Sequence, residues 1–218
     1  RAGAGVGETT TTRATTVPAA LVATRPDLVG DEAAHNLLSL QDNLPPVPFD
    51  KIREQIEASF EQPLETLFAE IDPVPVGAAS IAQVHKGVTK DGRKVAIKVL
   101  RPGIRQKFAR DIQTYEWAAA HVEAMGGEAS RLRPRLTIAN FKRWSNSELD
   151  LRREAASASE LAEQMAGVTG YRIPEIDWDR TNGRVLTIEW IDGVKISNTE
   201  ALIERGHDLP AIAEKLVI

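Results

Sequence analysis

The stretch VGAASIAQVHKGVTKDGRKVAIKV, Val76 to Val99, decides the fold. From Ser80 the apolar residues alternate, and the runs Ser80–Val88 and Lys94–Leu100 predict two antiparallel strands joined at Asp91-Gly92. Small residues precede the first strand: Gly77, Ala78, Ala79 and Ser80. Small side chains let backbone N–H groups approach a phosphate, so the stretch predicts a phosphate-binding loop ahead of a hairpin. The alternative is a tight turn packed against a helix.

The composition is that of an ordinary soluble globular chain, with 42% hydrophobic and 27% charged residues. A net charge of −4 without a long block of like charge gives no case for nucleic acid as a partner. The absence of cysteine excludes disulfides and thiolate metal sites and fits a cytoplasmic location. No apolar run approaches the ~20 residues that span a bilayer. The Arg1 start and the abrupt end at EKLVI indicate a fragment.

The chain divides into four predicted regions. They are a poorly ordered tail over 1–24, a helical N-terminal extension over 25–72, an α+β lobe over 73–197 with inserted helices at about 104–144, and the truncated start of a further lobe over 198–218.

Periodicity places the elements within these regions. Helices are predicted over 26–43, 50–60, 63–71, 104–125, 134–144, 147–166 and 198–217. A second hairpin is predicted from YRIPEIDWD and RVLTIEWI around the turn Thr181-Asn182-Gly183.

Lys98 is the first candidate for chemistry. Strand alternation puts Val95, Ile97 and Val99 on one face and Ala96 with Lys98 on the other. A lysine among apolar strand residues requires a partner, unless it only solubilises an edge.

Glu154 is the candidate partner. In the helix SELDLRREAASASELAEQM, the residues Leu151, Glu154, Ala158, Leu161 and Met165 fall on one stripe, which predicts a carboxylate inside an apolar face. Such a carboxylate is costly unless it is paired or reaches water. Pairing with Lys98 would aim the ammonium at a phosphate, an arrangement typical of kinases.

Together these residues resemble the UbiB (aarF or ADCK) family of atypical kinase-like ATPases, which support ubiquinone biosynthesis. The resemblance runs from about Thr24 to the end. It rests on the motifs RPDLVG, LQDNLPPVPF, GAASIAQVH, VAIKVLRPGI, DLRREAASA and RIPEIDWDRTNGRVLTIEWIDG. It implies an α+β protein-kinase-like N-lobe, an antiparallel sheet with an αC-like helix, together with a family-specific helical extension and without the C-lobe.

The resemblance also implies roles for individual residues. Lys98 corresponds to the phosphate-contacting lysine and Glu154 to its ion-pair partner, the two catalytic candidates. The nucleotide-binding candidates are the alanine-rich loop Gly77, Ala78, Ala79 and Ser80, then Ala96 and Lys98, and a hinge of Glu189, Trp190 and Ile191 that meets adenine through its backbone.

Two features depart from the family pattern. The Lys-x-Gly-Gln motif is absent, since its expected position holds Val17-Pro18-Ala19-Ala20. No catalytic-loop pattern or Asp-Phe-Gly motif follows Glu189, so the Mg²⁺ ligands are expected in the missing C-lobe and the chain alone is expected to be inactive.

The resemblance implies ATP and Mg²⁺ as cofactors, and membrane lipids or quinone-biosynthesis proteins as partners at the inner membrane of a bacterium. Two other functions stay open: a non-catalytic pseudokinase module, and a small-molecule phosphotransferase of another kinase-like family. Separated histidines predict no metal site, and His85 is expected to make a structural hydrogen bond. The basic cluster around Arg131–Arg143 is expected to be a solvated helix face.

Overall fold

A computed structural model describes residues 45–196 and 198–216. The predicted tail and the helix over 26–43 lie outside these residues. The described strands are β1 (Phe68–Ile71), β2 (Gly77–Ala78), β3 (Ala82–Thr89), β4 (Lys94–Leu100) and β5 (Val185–Glu189). The helices are α1 (Phe49–Phe60), α2 (Leu64–Leu67), α3 (Ile104–Met125), α4 (Glu128–Arg131), α5 (Pro134–Glu148), α6 (Leu151–Gln164), α7 (Thr199–Glu204) and α8 (Leu209–Leu216), with a 3₁₀ turn at Trp178–Arg180.

The five strands form one antiparallel sheet. The main order is β1-β3-β4-β5, and the short β2 also pairs with β3. The predicted hairpin is β3 and β4, with His85 opposite Ile97 and with Gly92 in the left-handed conformation at φ 85°. That conformation favours glycine because it has no Cβ.

One face of the sheet packs on α1. Ile52 and Ile56 of α1 are fully buried against Val95, Ile97 and Val99 of β4. These are the faces that the periodicity of each segment predicts. The helix from the N-terminal extension therefore supplies part of the core of the sheet.

A second cluster joins the sheet to α3 and α6. Leu100 and Leu186 of the sheet pack with Ile104 at the start of α3 and with Leu151 and Ala155 of α6. Beyond Ile104, α3 runs to Gly126-Gly127, as predicted, and packs on α5.

The structure corrects three of the predicted elements. The helix predicted over 63–71 ends at Leu67, and Phe68–Ile71 forms β1, because pairing with β3 and burial of Phe68 outweigh local helix propensity. The helix predicted over 198–217 is two helices, α7 and α8, with Gly206 between them at φ 76°.

The second hairpin forms only in part: RVLTIEWI contains β5, as predicted, whereas the first segment is not a regular strand. YRIPEIDWD contributes one isolated bridge, Ile176 to Ile188, and then turns at Trp178–Arg180. Pro174 has no N–H to donate to a ladder, and Asp177 accepts a hydrogen bond from the Arg180 amide, which stabilises the turn.

Candidate functional site

A cleft of about 1020 Å³ lies on the sheet face opposite α1. Strand register explains its lining, because residues directly opposite each other on antiparallel strands share a face. Lys98 lies between Val84 on β3 and Leu186 on β5, and Ile188 lies opposite Ala96. All five line the cleft. The predicted face of Ala96 and Lys98 is therefore the floor of the cleft.

The structure brings Lys98 and Glu154 together. The Lys98 Nζ donates to Glu154 Oε1 at 2.9 Å and to Oε2 at 2.7 Å. Asp150 caps α6 by accepting a hydrogen bond from the Arg152 amide, so the helix begins at Leu151 and Glu154 lies in its first turn. The ammonium is thereby held at one position in the cleft.

The prediction that Glu154 lies inside the apolar face of its helix is wrong. The buried residues of α6 are Leu151 and Ala155, whereas Leu161 is exposed and the Glu154 side chain is 50% exposed. The contacting stripe of α6 is rotated relative to the predicted one, because Leu151 and Ala155 pack on Leu100 and Leu186. Glu154 projects beside that contact into the open cleft, where water solvates its carboxylate.

The small-residue loop covers one side of the cleft. Gly77 and Ala78 form β2 and, with Ala79, line the cleft, while the half-buried Ser80 is not among the lining residues. The Ala79 amide donates to the Ala82 carbonyl at 2.9 Å, and Arg101 Nε donates to the Ala79 carbonyl at 2.8 Å. The peptide groups at Ala79 are therefore already fixed within the protein.

The predicted hinge follows β5 at the far end of the cleft. The Glu189 amide donates to the Glu175 carbonyl and the Trp190 amide to the Lys94 carbonyl. Of these three hinge amides, that of Ile191 is the one without a partner in the described part of the chain. Glu189 and Trp190 line a separate cavity of about 300 Å³, so the large cleft is bounded here by Ile188 instead.

Sequence reasoning missed several residues of the cleft. Val84, Leu186 and Ile188 could have been found from the strand register, since each shares a face with Lys98 or Ala96. Pro45 and Pro46 lie more than 20 residues before the first strand of the sheet, and no local pattern indicates that they line the cleft. Lys195, which follows the hinge, also lines it.

The described residues contain neither a cluster that could hold a metal ion nor a helix that could cross a membrane. Within 45–196 and 198–216, no three His, Asp or Glu side chains converge closely enough to hold a metal ion. None of the helices in those ranges combines the length and apolarity that crossing a bilayer requires.

An antiparallel sheet whose strand lysine is paired with a helix glutamate is the arrangement found in the N-lobe of kinases. The family model described as "ABC1 atypical kinase-like domain" matches residues 39–218. The chain therefore belongs to the ABC1 atypical kinase-like family.

Two relatives give the extent of the likeness. The chain is 40% identical over 195 residues to a "Probable protein kinase UbiB" from Marinobacter nauticus, covering 89% of this chain and 36% of that protein. A Mycobacterium tuberculosis protein, Rv3197, solved in complex with erythromycin, superposes with a TM-score of 0.57 at 27% identity, covering 83% of this chain and 45% of the other. The chain thus spans less than half the length of either relative. These likenesses confirm the predicted family and the kinase-like N-lobe fold.

Proposed function

We propose that the cleft binds ATP, with the Lys98 ammonium on its phosphates and Glu154 holding that ammonium in place. The observation that carries the proposal is the ion pair itself, with its two short hydrogen bonds, inside the large cleft of the described residues. A lysine and a carboxylate 56 positions apart in the sequence meet beside small loop residues, as they do where kinases hold a nucleotide.

The shape and chemistry of the cleft fit a nucleotide. Val84, Ala96 and Leu186 provide apolar surfaces for a purine, and the single methyl group of Ala96 leaves room above the floor. Ile191 is not among the residues that line the cleft, so its amide, which has no partner in the described part of the chain, is the candidate donor to a base that extends past Ile188. Gly77, Ala78 and Ala79 present small side chains toward the phosphates, and Ser80 would act through its backbone only.

Mg²⁺ accompanies ATP in kinase-like proteins, where it neutralises charge on the phosphates. The described residues contain no cluster that could hold it. We therefore assign none of them to the metal, and we expect the 218-residue chain to bind ATP without turning it over.

The role of the whole protein follows from the same resemblance. The name UbiB on the Marinobacter relative implies ubiquinone biosynthesis. We propose that the complete protein is an atypical kinase or ATPase of that process, with membrane lipids or other quinone-biosynthesis proteins as partners. Within it, 25–72 would be the family-specific extension and 73–197 the N-lobe, with the extension contributing β1 at Phe68–Ile71 to the sheet.

Isothermal titration of the chain with ATP tests the site. Lys98→Ala and Glu154→Ala are expected to weaken binding by about tenfold or more, since each removes a charged hydrogen-bonding group, whereas Lys90→Ala in the β3–β4 turn should bind as the parent does. Equal losses in all three variants, or no binding by the parent chain, would contradict the proposal. ATP turnover by the chain would contradict the assignment as a binding lobe.

A further inference from the structure

Residues 45–48, Pro45-Pro46-Val47-Pro48, lead into α1 and are here called the proline strap. Pro45 and Pro46 line the cleft. Arg101 joins the strap to the small-residue loop, because its Nη1 donates to the Pro45 carbonyl at 3.1 Å while its Nε donates to the Ala79 carbonyl. The strap and the loop are therefore positioned together.

A buried glutamine of β3 holds the middle of the strap. The Val47 amide donates to Gln83 Oε1 at 2.9 Å, and Gln83 Nε2 donates back to the Val47 carbonyl at 3.3 Å. The side-chain amide thus pairs with the strap as a neighbouring strand would. Gln83 is 1% exposed, so these bonds are shielded from water.

His85 fixes the orientation of that amide. Its ring is fully buried, and Nε2 lies 2.8 Å from Gln83 Nε2 while Nδ1 lies 2.7 Å from the Asp72 carbonyl oxygen. A carbonyl oxygen can only accept, so Nδ1 carries the proton, and Nε2 accepts the second proton of the Gln83 amide. A flipped amide would put donor against donor at the Val47 N–H. The neutral Nδ1–H ring is therefore the form that supports the strap.

We infer that Gln83 and His85 are positioning residues of the nucleotide site, which hold the proline strap so that Pro45 and Pro46 form the outer wall of the cleft. The inference rests on the proposed function, since it concerns the same cleft. Neither side chain is among those lining the cleft, so both would act through Val47. The inward-facing polar residues of the motif IAQVH thereby acquire a role.

The arrangement makes the wall sensitive to acid. A proton on His85 Nε2 would face the Gln83 amide protons and displace that amide from Val47. Among the described groups that pack around the ring, Asp72 is the charged one, and Phe49, Gln83 and Ile97 are uncharged. Burial lowers the pKa of His85 below its ordinary value, although the Asp72 hydrogen bond and charge act in the opposite direction. The strap is therefore held fully above about pH 6.5 and released as the pH falls toward the lowered pKa.

The first experiment compares the 218-residue chain with Gln83→Leu, which keeps the volume but not the hydrogen bonds. Gln113→Leu on the exposed surface of α3 is the matched control. Gln83→Leu is expected to speed exchange of the Val47 amide, measured by NMR without nucleotide, and to weaken ATP binding about fivefold to tenfold. The control should change neither. Faster Val47 exchange with unchanged ATP affinity would overturn the inference, as would a Val47 amide that exchanges freely in the parent chain.

The second variant keeps the buried pair intact in case Gln83→Leu does not fold. Val47→Pro removes the N–H that donates to Gln83 Oε1 and also replaces the Val47 side chain, which packs on the core beside α1. It leaves Gln83 and His85 unchanged, and it should weaken ATP binding to a similar degree. As the pH falls through the lowered pKa of His85, the parent should lose additional affinity relative to Val47→Pro, while titration of the nucleotide itself affects both equally. Superimposable pH profiles would overturn the inference. A parent chain with a protected Val47 amide but no ATP binding would overturn the proposed function instead, and the nucleotide role of the strap with it.

Discussion

The Lys98 ammonium is held by a carboxylate that water also reaches. The two side chains are 31% and 50% exposed, and ion pairs this accessible contribute only about 0 to 1 kcal/mol to stability, because solvent screens them. The fold therefore does not depend on this contact. Its value is that it fixes a cation in the cleft, where a phosphate could replace water around it.

Because the ion pair fixes a cation but adds little stability, Lys98→Met should affect ATP binding far more than folding. The substitution keeps the length and apolar part of the side chain but removes the charge, so the free energy of unfolding in urea should change by less than about 1 kcal/mol. ATP affinity in the same preparation should fall by about tenfold or more. Lys90→Met provides the matched surface control. A loss of several kcal/mol of unfolding free energy would mean that the ion pair stabilises the fold, and this would contradict its expected small contribution.

Among the individual residues, the sequence predicted the pairing of Lys98 with Glu154 for a reason that is partly mistaken. The alternation of β4 correctly separated Lys98 from the core residues Val95 and Ile97. The stripe on α6 was assigned without knowing which side faces the sheet, and Ala155 occupies the buried position. Only Leu151 and Ala155 of this 14-residue helix are buried, so its apolar stripe does not coincide with the face that packs on the sheet.

At the scale of elements, α1 behaves as part of the sheet core. Ile52 and Ile56 are fully buried against β4, and Asn182 Nδ2, from the turn before β5, donates to the Ser59 carbonyl at the end of this helix. The proline strap enters directly into α1. A helix outside the predicted lobe boundary thus contributes to the core of the lobe and anchors the C-terminal end of the strap.

Ile56→Ala tests this role of α1. Truncation of a fully buried isoleucine leaves a cavity between the helix and β4 and should lower the free energy of unfolding by about 2–5 kcal/mol. Ile203→Ala removes the same atoms from an exposed position on α7 and should cost less than about 1 kcal/mol. Chemical denaturation of both variants provides the comparison. Equal costs would show that α1 packs only loosely on the sheet.

Local sequence patterns predicted the elements that have one apolar and one polar face. The β3–β4 hairpin and α3 were found because alternation, turn residues and the Gly126-Gly127 stop all agree. The short edge strand β1 was missed, because its four residues gain their structure from pairing with β3. YRIPEIDWD does not form the predicted strand. Its single bridge to β5 is a tertiary contact, which hydrophobic periodicity does not reveal.

At the scale of the whole molecule, the cleft is assembled from pieces distant in sequence. The proline strap, the small-residue loop and the start of α6 each contribute a wall. Gln83 joins the strap to β3, Arg101 joins the strap to the loop, and Lys98 joins α6 to β4. The sheet between them is rigid by comparison, since its strands share ladders and a buried core. A ligand in the cleft would contact all three walls together, and its binding energy would oppose their separate local openings.

Hydrogen exchange measured by mass spectrometry should therefore detect ATP binding in three separate regions. We expect slower exchange at Val47, which carries the one backbone amide of residues 45–48, in the loop around Ala79 and in the first turns of α6. We expect no change in the distant part of the α3–α5 pair around Gly126. The physical reason is that local opening of each wall must first release the nucleotide, whereas opening of the distant helices does not. The Lys98→Ala variant, measured at the same ATP concentration, should lose most of the protection in all three regions, because a smaller fraction of it has ATP bound. Protection confined to the loop would show that the strap and α6 do not take part in binding, and protection spread evenly over the chain would indicate a general stabilisation in place of a shared site.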